Sequence, residues 1–233
     1  QTSFNCSNIG ANTVFLIGTD QAGNSGFCMT TVTGIDTISP IAICQPLTVN
    51  LDASGNASIT ATQVNNGSSD NCAVASIAID VSSFTCADIG PNTVTLTVTD
   101  NSGNSSSCQS TVTVVDNVLP TIACPANVNT FTNTGCTATG VALGVPVTAD
   151  NCGVASVVNN APAAFPIGVT TVTWTVNDNS GNTASCDQTV TVVDNVLPTI
   201  SCPANINTFT NSGCTATGVA LGVPVTADNC GVA

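Results

Sequence analysis

One block of forty residues occurs twice in this chain of 233 residues. Residues 116–155 recur at 194–233, an offset of 78 residues, with three differences. A more diverged copy of the same pattern begins at Asp36. Because self-similarity at a fixed period is the signature of a tandem array of small domains, the fold to be explained is that of one unit of about 80 residues.

The repeat divides the chain into four segments. Residues 36–115 and 116–193 are predicted to be complete units. Residues 1–35 match the C-terminal part of a unit, and residues 194–233 match its N-terminal part. We therefore expect a window on a longer tandem array, cut out of phase with the domain boundaries.

Alternating apolar and polar residues predict β-strands within each unit. The alternation is strict at 94–98, 112–114, 172–176 and 190–192. This is the period of a half-buried strand, and turn residues such as Asn and Gly separate the segments. Several short strands in about 80 residues are typical of a β-sandwich. The predicted fold is all-β, a series of tandem antiparallel β-sandwiches in which Trp174 packs in the core.

The charged residues are all of one sign. The chain has 13 acidic residues, all of them Asp, and no Lys, Arg or His, which gives a net charge of −13. Binding to nucleic acid or to an anionic membrane depends on basic side chains, so neither is expected. Without His, Lys, Tyr or Glu most groups for proton transfer and nucleophile activation are missing, and we predict no enzyme activity. No run approaches the roughly 18 apolar residues of a membrane span, so membrane insertion is not expected.

The 13 Cys residues predict disulfide bonds formed in an oxidising compartment. Three positions recur from unit to unit, namely Cys28, Cys108 and Cys186; Cys44, Cys124 and Cys202; and Cys72, Cys152 and Cys230. A fourth position moves, being Cys6 and Cys86 in one kind of unit and Cys136 and Cys214 in the other. Each complete unit thus contains four Cys residues, and we predict a secreted or cell-surface location.

Four motifs of the unit 116–193 resemble the hyalin repeat (HYR) family. They are Asp-Asn-x-x-Pro-x-Ile-x-Cys-Pro at 116–125, Asp-Asn-Cys-Gly at 150–153, Phe-Pro-Ile-Gly at 165–168 and Asp-x-Ser-Gly-Asn-x-x-x-Cys at 178–186. The resemblance implies an extracellular immunoglobulin-like or fibronectin-III-like module with an adhesive or scaffolding role. The unit 36–115 departs from the motifs around Cys44 and Phe84, and in this it is similar to repeats of very large bacterial surface adhesins.

The pairing of the Cys residues stays open at this point, because four Cys in a unit allow three connectivities. First and last strands are often neighbours in such sandwiches, which favours Cys44–Cys108 and Cys124–Cys186. The remaining pairs would then be Cys72–Cys86 and Cys136–Cys152. A plain up-and-down path, however, puts the two Cys of the last pair at opposite ends of one strand. Whichever pairing holds, the bonds are expected to support a core that is poor in aromatic residues.

Nine of the 13 Asp residues recur at fixed positions. Because successive strands alternate in direction, one end of the unit 116–193 should gather Asp116, Asp150 and Asp178, facing the preceding repeat. The same argument gathers Asp36, Asp70 and Asp100 at the previous junction, and the further counterparts are Asp194, Asp228 and Asp20.

Carboxylates gathered without a cationic side chain repel one another, and calcium takes 6–8 oxygen ligands of this kind. These Asp residues are therefore candidate calcium ligands at the repeat junctions. The junction string Val-Val-Asp-Asn-x-x-Pro also resembles the calcium-binding linker of cadherin repeats. The alternative is that the same side chains only accept backbone N–H groups in Asx-turns, with no metal.

Two classes of function are compatible with these features. The first is a structural repeat segment of an extracellular bacterial filament or adhesin, whose partners are neighbouring repeats of the same protein or fibre. The second is a binding module whose loops recognise a surface glycan or protein. The near-identity of 116–155 and 194–233 favours the first, because a spacer must be copied at every repeat and a recognition site need not be.

Overall fold

The computed structural model describes residues 3–211 and 213–232, and the chain divides into two compact units. The first unit comprises residues 1–118 and the second residues 119–233. The first contains residues 1–35 and the repeat 36–115, and the second contains the repeat 116–193 from residue 119 onward and residues 194–233. Each unit is described by itself below.

The first unit opens with a short 3-10 helix and a hairpin, followed by the complete repeat. Its elements are the 3-10 helix Cys6–Asn8, β1 (Gly10–Thr19), β2 (Ser25–Gly34), β3 (Leu47–Asn50), β4 (Asn56–Ser58), the helical turn α1 (Ala61–Val64), β5 (Val74–Ile79), β6 (Ser83–Thr85), the 3-10 helix Cys86–Asp88, β7 (Gly90–Asp100) and β8 (Ser105–Val115). Strands β3, β8, β7 and β5 form a four-stranded sheet in that order, and β4 pairs with β6.

The second unit contains the second complete repeat and two strands of the next. Its elements are β9 (Thr121–Ala123), β10 (Val128–Phe131), β11 (Thr137–Thr139), β12 (Val147–Ala149), β13 (Val154–Asn159), β14 (Ala164–Pro166), β15 (Gly168–Asp178), β16 (Thr183–Val193), β17 (Thr199–Ser201) and β18 (Val225–Ala227). Strands β10, β16, β15 and β13 form a four-stranded sheet, and three pairs complete the unit: β11 with β14, β12 with β9, and β17 with β18.

The same sheet is therefore built in both complete repeats, and the predicted all-β, immunoglobulin-like fold is confirmed. Its long central hairpin is antiparallel in each case. One pair in each repeat is parallel, with Leu47 opposite Val112 and Val128 opposite Val190. This parallel pair brings a short early strand of the repeat, β3 or β10, beside its last strand.

Apolar residues of the central hairpin alternate into the core, as the pattern predicted. Val94 and Leu96 on β7 are fully buried, and Val172 occupies the corresponding position on β15. Burying each such side chain stabilises the fold by roughly 1.5–3 kcal/mol. Trp174 lies with Val172 in the core of the second repeat, at the position that Leu96 occupies in the first.

One disulfide in each complete repeat joins the segment just before β3 or β10 to the last strand of the repeat. Cys44 is bonded to Cys108 and Cys124 to Cys186, with Cα atoms 6.0 and 5.8 Å apart. These are the two pairs that the first-and-last-strand argument favoured. They form because Cys44 lies just before β3, which runs parallel to the last strand β8, and Cys124 lies just before β10, which runs parallel to the last strand β16.

The predicted pair Cys72–Cys86 is wrong, because Cys72 is bonded to Cys6. Cys86 lies in the 3-10 helix just before Gly90, at the beginning of β7, whereas Cys72 lies near Asp100, at its end. A strand of 11 residues spans roughly 35 Å, far beyond the reach of a disulfide.

The predicted pair Cys136–Cys152 is also wrong, since Cys152 is disulfide-bonded while Cys136 is free. Cys136 lies near the end of β16, where the Thr132 N–H donates to the carbonyl of Val193 at 3.1 Å. Cys152 lies near the other end of this strand, where its carbonyl accepts from the Asn179 side chain in the β15–β16 turn. The length of β16 separates the two residues, as the up-and-down path indicated.

Candidate functional site

Three predicted Asp residues meet in the first unit. Asp36 follows β2, Asp70 precedes β5 and Asp100 ends β7. Each has a carboxylate oxygen within 4.8 Å of a carboxylate oxygen of the other two. The antiparallel pairing of β5 with β7 places Val74 opposite Asp100, so the loop before β5 lies at the end of β7.

Asp100 is the buried member of this group, with 3% of its surface exposed. One carboxylate oxygen accepts the backbone N–H groups of Ser102 and Asn104, and the other accepts the Asn104 side-chain amide at 2.8 Å. Burial raises the pKa of Asp100, but these hydrogen bonds together lower it by more than burial raises it. The net pKa therefore lies below its ordinary value. The Asn104 amide also donates to the carbonyl of Asp36 at 3.1 Å and holds the linker in place.

Asp36 and Asp70 each use one oxygen in a local turn and leave the other without a donor. Asp36 Oδ1 accepts from the N–H of Ile38 at 3.1 Å and from Asn71 Nδ2, and Asp70 Oδ2 accepts from the N–H of Cys72 at 2.7 Å. Asp36 Oδ2 and Asp70 Oδ1 are buried and have no hydrogen-bond partner. A buried carboxylate oxygen without a partner is costly, and the chain has no Lys, Arg or His to offset it.

The second unit repeats this arrangement with Asp150 and Asp178, whose carboxylates lie within 4.8 Å of each other. Asp178 is buried and accepts from the backbone of Ser180 and from the backbone and side chain of Asn182. Burial raises its pKa, and the hydrogen bonds bring the net pKa below the ordinary value. Asp150 Oδ2 accepts the N–H of Cys152 at 2.9 Å, while its Oδ1 is buried without a partner.

Asp116 and Asp20 have the local contacts expected of their positions. Asp116 is buried, and its Oδ1 accepts the N–H of Val118 at 3.1 Å, as Asp36 does from the residue two positions on. Asp20 is exposed, and the side-chain and backbone hydrogen bonds from Asn24 lower its pKa. Within the described residues Asp20 joins no group of three potential metal ligands.

A third group contains a thiol that the sequence did not predict. Ligand atoms of Asp194, Asp228 and Cys230 lie within 4.8 Å of one another. The backbone N–H of Val196 lowers the pKa of Asp194, and Asn229 Nδ2 donates to its carboxylate at 3.2 Å. Asp228 Oδ1 is buried without a partner.

This third group contacts the β10–β11 turn of the preceding repeat. Asn229 Nδ2 donates to Thr132 Oγ1 at 3.2 Å and to the carbonyl of Gly135 at 3.1 Å. Cys136 Sγ lies 3.6 Å from the carbonyl oxygen of Asn229. Burial is the main cause that raises the pKa of the Cys230 thiol to about 12, and a hydrogen bond with Cys136 is the second. Reasoning within one repeat missed this contact, because it paired Cys136 inside its own unit.

An exposed apolar face on the β1–β2 hairpin was also missed. Phe15, Ile17, Phe27 and Met29 lie on one face and are exposed, with the two rings 6.5 Å apart. The corresponding positions of the next repeat are Thr95, Thr97, Ser107 and Gln109. The sequence carries a signal for this difference, since residues 14–17 form an unbroken apolar run where residues 94–97 alternate with the period of a half-buried strand.

Solved structures to which this chain has a low-scoring similarity include domains of a protocadherin and of titin. Protocadherin Gamma B7 extracellular cadherin domains 1–4 are 10% identical, with a TM-score of 0.37 over 88% of this chain and 64% of that one. Titin domains I67–I69 are 11% identical, with a TM-score of 0.34 over 78% of this chain and 75% of that one. Scores this low carry no functional information. In the described part of the chain, no helix has the length and apolar character needed to cross a membrane.

Sequence comparisons are more informative. Hyalin of Strongylocentrotus purpuratus is 31% identical over 237 residues, which cover 95% of this chain and 19% of that protein. Hyalin of Lytechinus variegatus is 32% identical over 153 residues, or 62% of this chain and 29% of that protein. This chain therefore spans less than a third of either relative. Residues 115–192 match the family model described as "HYR domain", so the second complete repeat belongs to the HYR domain family.

Proposed function

We propose that this chain is an extracellular adhesion or scaffolding segment whose repeats act as spacers of fixed length. The observation that carries the proposal is the Cys6–Cys72 disulfide, which links the part repeat 1–35 to the complete repeat that follows it. The HYR match and the similarity to hyalin support an extracellular, adhesive protein. Both relatives are sea-urchin proteins and give no support to a bacterial origin, which is therefore not part of the proposal.

The recurrent polar residues support a role at the junctions. Asp70 and Cys72 lie in one loop, and this loop meets both the linker residue Asp36 and the preceding part repeat through Cys6. Side chains that recur at a fixed position are thus used to hold one repeat to the next. The partners of the segment, on this proposal, are the neighbouring repeats.

A pulling experiment tests whether the junction bond carries load. With the chain held at its two ends, residues 7–71 cannot extend while Cys6–Cys72 is intact. The Cys44–Cys108 bond bridges an overlapping stretch, so the comparison is made in a background that lacks it, Cys44→Ser with Cys108→Ser. We expect the length released on unfolding the first unit to increase on reduction, and also without reductant when Cys6→Ser is added to this background. Equal release with and without Cys6→Ser in the oxidised background would contradict a load-bearing junction. Saturable binding of one sugar on a glycan array would instead favour the binding-module alternative.

We further propose that the group Asp36, Asp70 and Asp100 binds calcium. Three carboxylates within 4.8 Å, two of them with a buried oxygen that lacks a donor, provide oxygen ligands of the kind this ion takes. The remaining ligands would be backbone carbonyls or water. The ion would neutralise charges that no side chain of this protein can neutralise, and it would join a linker, a loop and a strand end.

Thermal unfolding with calcium and with a chelator tests this site. Because an ion that binds only the folded state stabilises it by mass action, about 2.7 kcal/mol at 100 times Kd, we expect the melting temperature to fall by several degrees on chelation. Asp70→Asn should remove most of this response, since Asn keeps an acceptor for the Cys72 N–H but loses the charge.

The matched control is Asp80→Asn. Asp80 accepts the N–H of Thr95 at 2.8 Å and follows β5, whereas Asp70 precedes it. The substitution removes the same charge outside the Asp group and should leave the calcium response intact. A melting temperature that chelation does not change would overturn the calcium proposal and leave the Asx-turn interpretation.

A further inference from the structure

Cys230 is the counterpart of Cys72, the residue that links two repeats in the first unit. Both follow an Asp-Asn pair in the repeat. The N–H of Cys72 donates to Asp70 Oδ2 at 2.7 Å, and that of Cys230 donates to Asp228 Oδ2 at 2.9 Å. An Asx-turn of the same kind therefore holds the backbone at Cys72 and at Cys230.

Cys136 takes the place at this turn that Cys6 takes in the first unit. Cys6 Sγ lies 3.3 Å from the carbonyl oxygen of Asn71, the residue before its disulfide partner. Cys136 Sγ lies 3.6 Å from the carbonyl oxygen of Asn229, the residue before Cys230. The two sulfur atoms thus approach equivalent carbonyl groups, although they come from different parts of the repeat.

The β10–β11 turn is held in this position by contacts around the two thiols. Asn229 Nδ2 donates to the carbonyl of Gly135 and to Thr132 Oγ1. Cys230 Sγ lies 3.8 Å from the same Gly135 carbonyl, so each sulfur rests against the residue that precedes the other Cys. Gly135 has φ +56°, and a Cβ there would lie 3.9 Å from the Asn229 carbonyl oxygen, so the turn is both left-handed and close.

We propose that Cys136 and Cys230 form a disulfide between the second complete repeat and the segment 194–233. In the reaction both thiols lose their protons and one S–S bond forms. The two electrons reduce a disulfide of a small molecule or an oxidoreductase to two thiols. The fourth Cys of the unit then changes its position in the sequence without changing its partner, which is the Cys of the Asp-Asn-Cys loop in the next repeat.

Two consequences follow from this bond. Cys230 is not a metal ligand, and the ligands left in its group are Asp194 and Asp228. The bond also closes the chain from residue 136 to residue 230, so that β11 to β16 cannot be extended by tension along the array. The second repeat is in this respect protected as residues 7–71 are by Cys6–Cys72.

Peptide mapping without reduction tests the pairing. The chain has no Lys or Arg, so a protease that cuts before Asp is used after free thiols have been alkylated. The fragment 228–233 contains only Cys230, and we expect it to be joined to 116–149, which contains Cys136, and to be released on reduction. Recovery of 228–233 with an alkylated thiol, or joined to 194–227, would overturn the proposal.

A thiol count on the intact, folded protein gives an independent test. Five Cys residues are free in the structure, so the bond leaves three to be alkylated without reduction. Cys136→Ser should raise the count to four by releasing Cys230. The matched variant Cys214→Ser removes the counterpart of Cys136 in the last segment and should lower the count to two. A count of five in the wild type, or of four in Cys214→Ser, would show that the bond does not form.

Discussion

The two complete repeats have the same sheet and differ in their Cys positions and in their core. Both join the segment before an early strand to the last strand with a disulfide, and both place a buried Asp at the end of the central hairpin strand. The fourth Cys, in contrast, lies before β7 in one repeat and between β10 and β11 in the other. The difference teaches that the Asp-bearing end of a repeat is fixed, while the position of its fourth Cys can vary.

The cores of the two repeats differ at two positions that are in contact with each other. In the second repeat the Trp174 N–H donates to Gln188 Oε1 at 3.0 Å, and the Gln188 amide donates to the carbonyls of Ala126 and Leu143. The first repeat has Leu96 and Ser110 at these places. A larger aromatic residue is thus accompanied by a longer polar side chain that satisfies its N–H, so the two positions have changed together.

The largest expected effect comes from breaking this coupling. Trp174→Leu leaves Gln188 Oε1 without its donor and opens a cavity, so we expect a loss of about 3–4 kcal/mol in the free energy of unfolding. Adding Gln188→Ser should recover part of the loss, because the buried amide is removed as well. Chemical denaturation of both single variants and the double variant measures the coupling. Simply additive effects would show that the two positions are independent.

Removing the bond to the last strand should affect the two repeats equally. The bonds Cys44–Cys108 and Cys124–Cys186 join residues 64 and 62 positions apart. Because the entropy of loop closure depends only weakly on length, the pairwise Ser variants should each lose about 2–4 kcal/mol. Calorimetry on each variant measures this. A loss confined to one repeat would mean that the bond has a different role in the two sheets.

A smaller effect is expected from acid. The pKa values of Asp100 and Asp178 are lower in the folded protein than the ordinary value of 3.8. The unfolded chain then binds more protons near pH 4, so their stabilisation is present above the ordinary pKa and is lost as the pH falls through the folded pKa. We expect a decrease of melting temperature below about pH 4 that is weaker in the double variant Asp100→Asn and Asp178→Asn. An equal acid response in wild type and variant would contradict this assignment.

The sequence pattern gives the direction of each strand within one unit, and nothing about contacts between units. This explains why the Asp groups could be predicted and why two disulfides were predicted wrongly. The alternation of strand direction determines which end of a unit a residue occupies, and this was sufficient to bring Asp36, Asp70 and Asp100 together. A bond between repeats cannot be derived from the pattern of one unit, and the even number of Cys in each complete unit favoured pairs inside it. Cys6–Cys72 therefore required coordinates for two successive repeats. The apolar face of β1 and β2 could in contrast have been read from the sequence, because residues 14–17 form an unbroken apolar run where the next repeat alternates apolar and polar residues.

The central claim, that the junctions hold the repeats at a fixed spacing, is tested most directly by the length of longer arrays. Arrays with two, four and six copies of residues 36–193 can be expressed in an oxidising compartment and measured by electron microscopy in calcium. The account predicts a length that increases linearly with copy number, with the same increment for each copy, and a loss of this linearity after reduction and chelation. A length that increases only with the square root of copy number in calcium, as for a flexible chain, would contradict it.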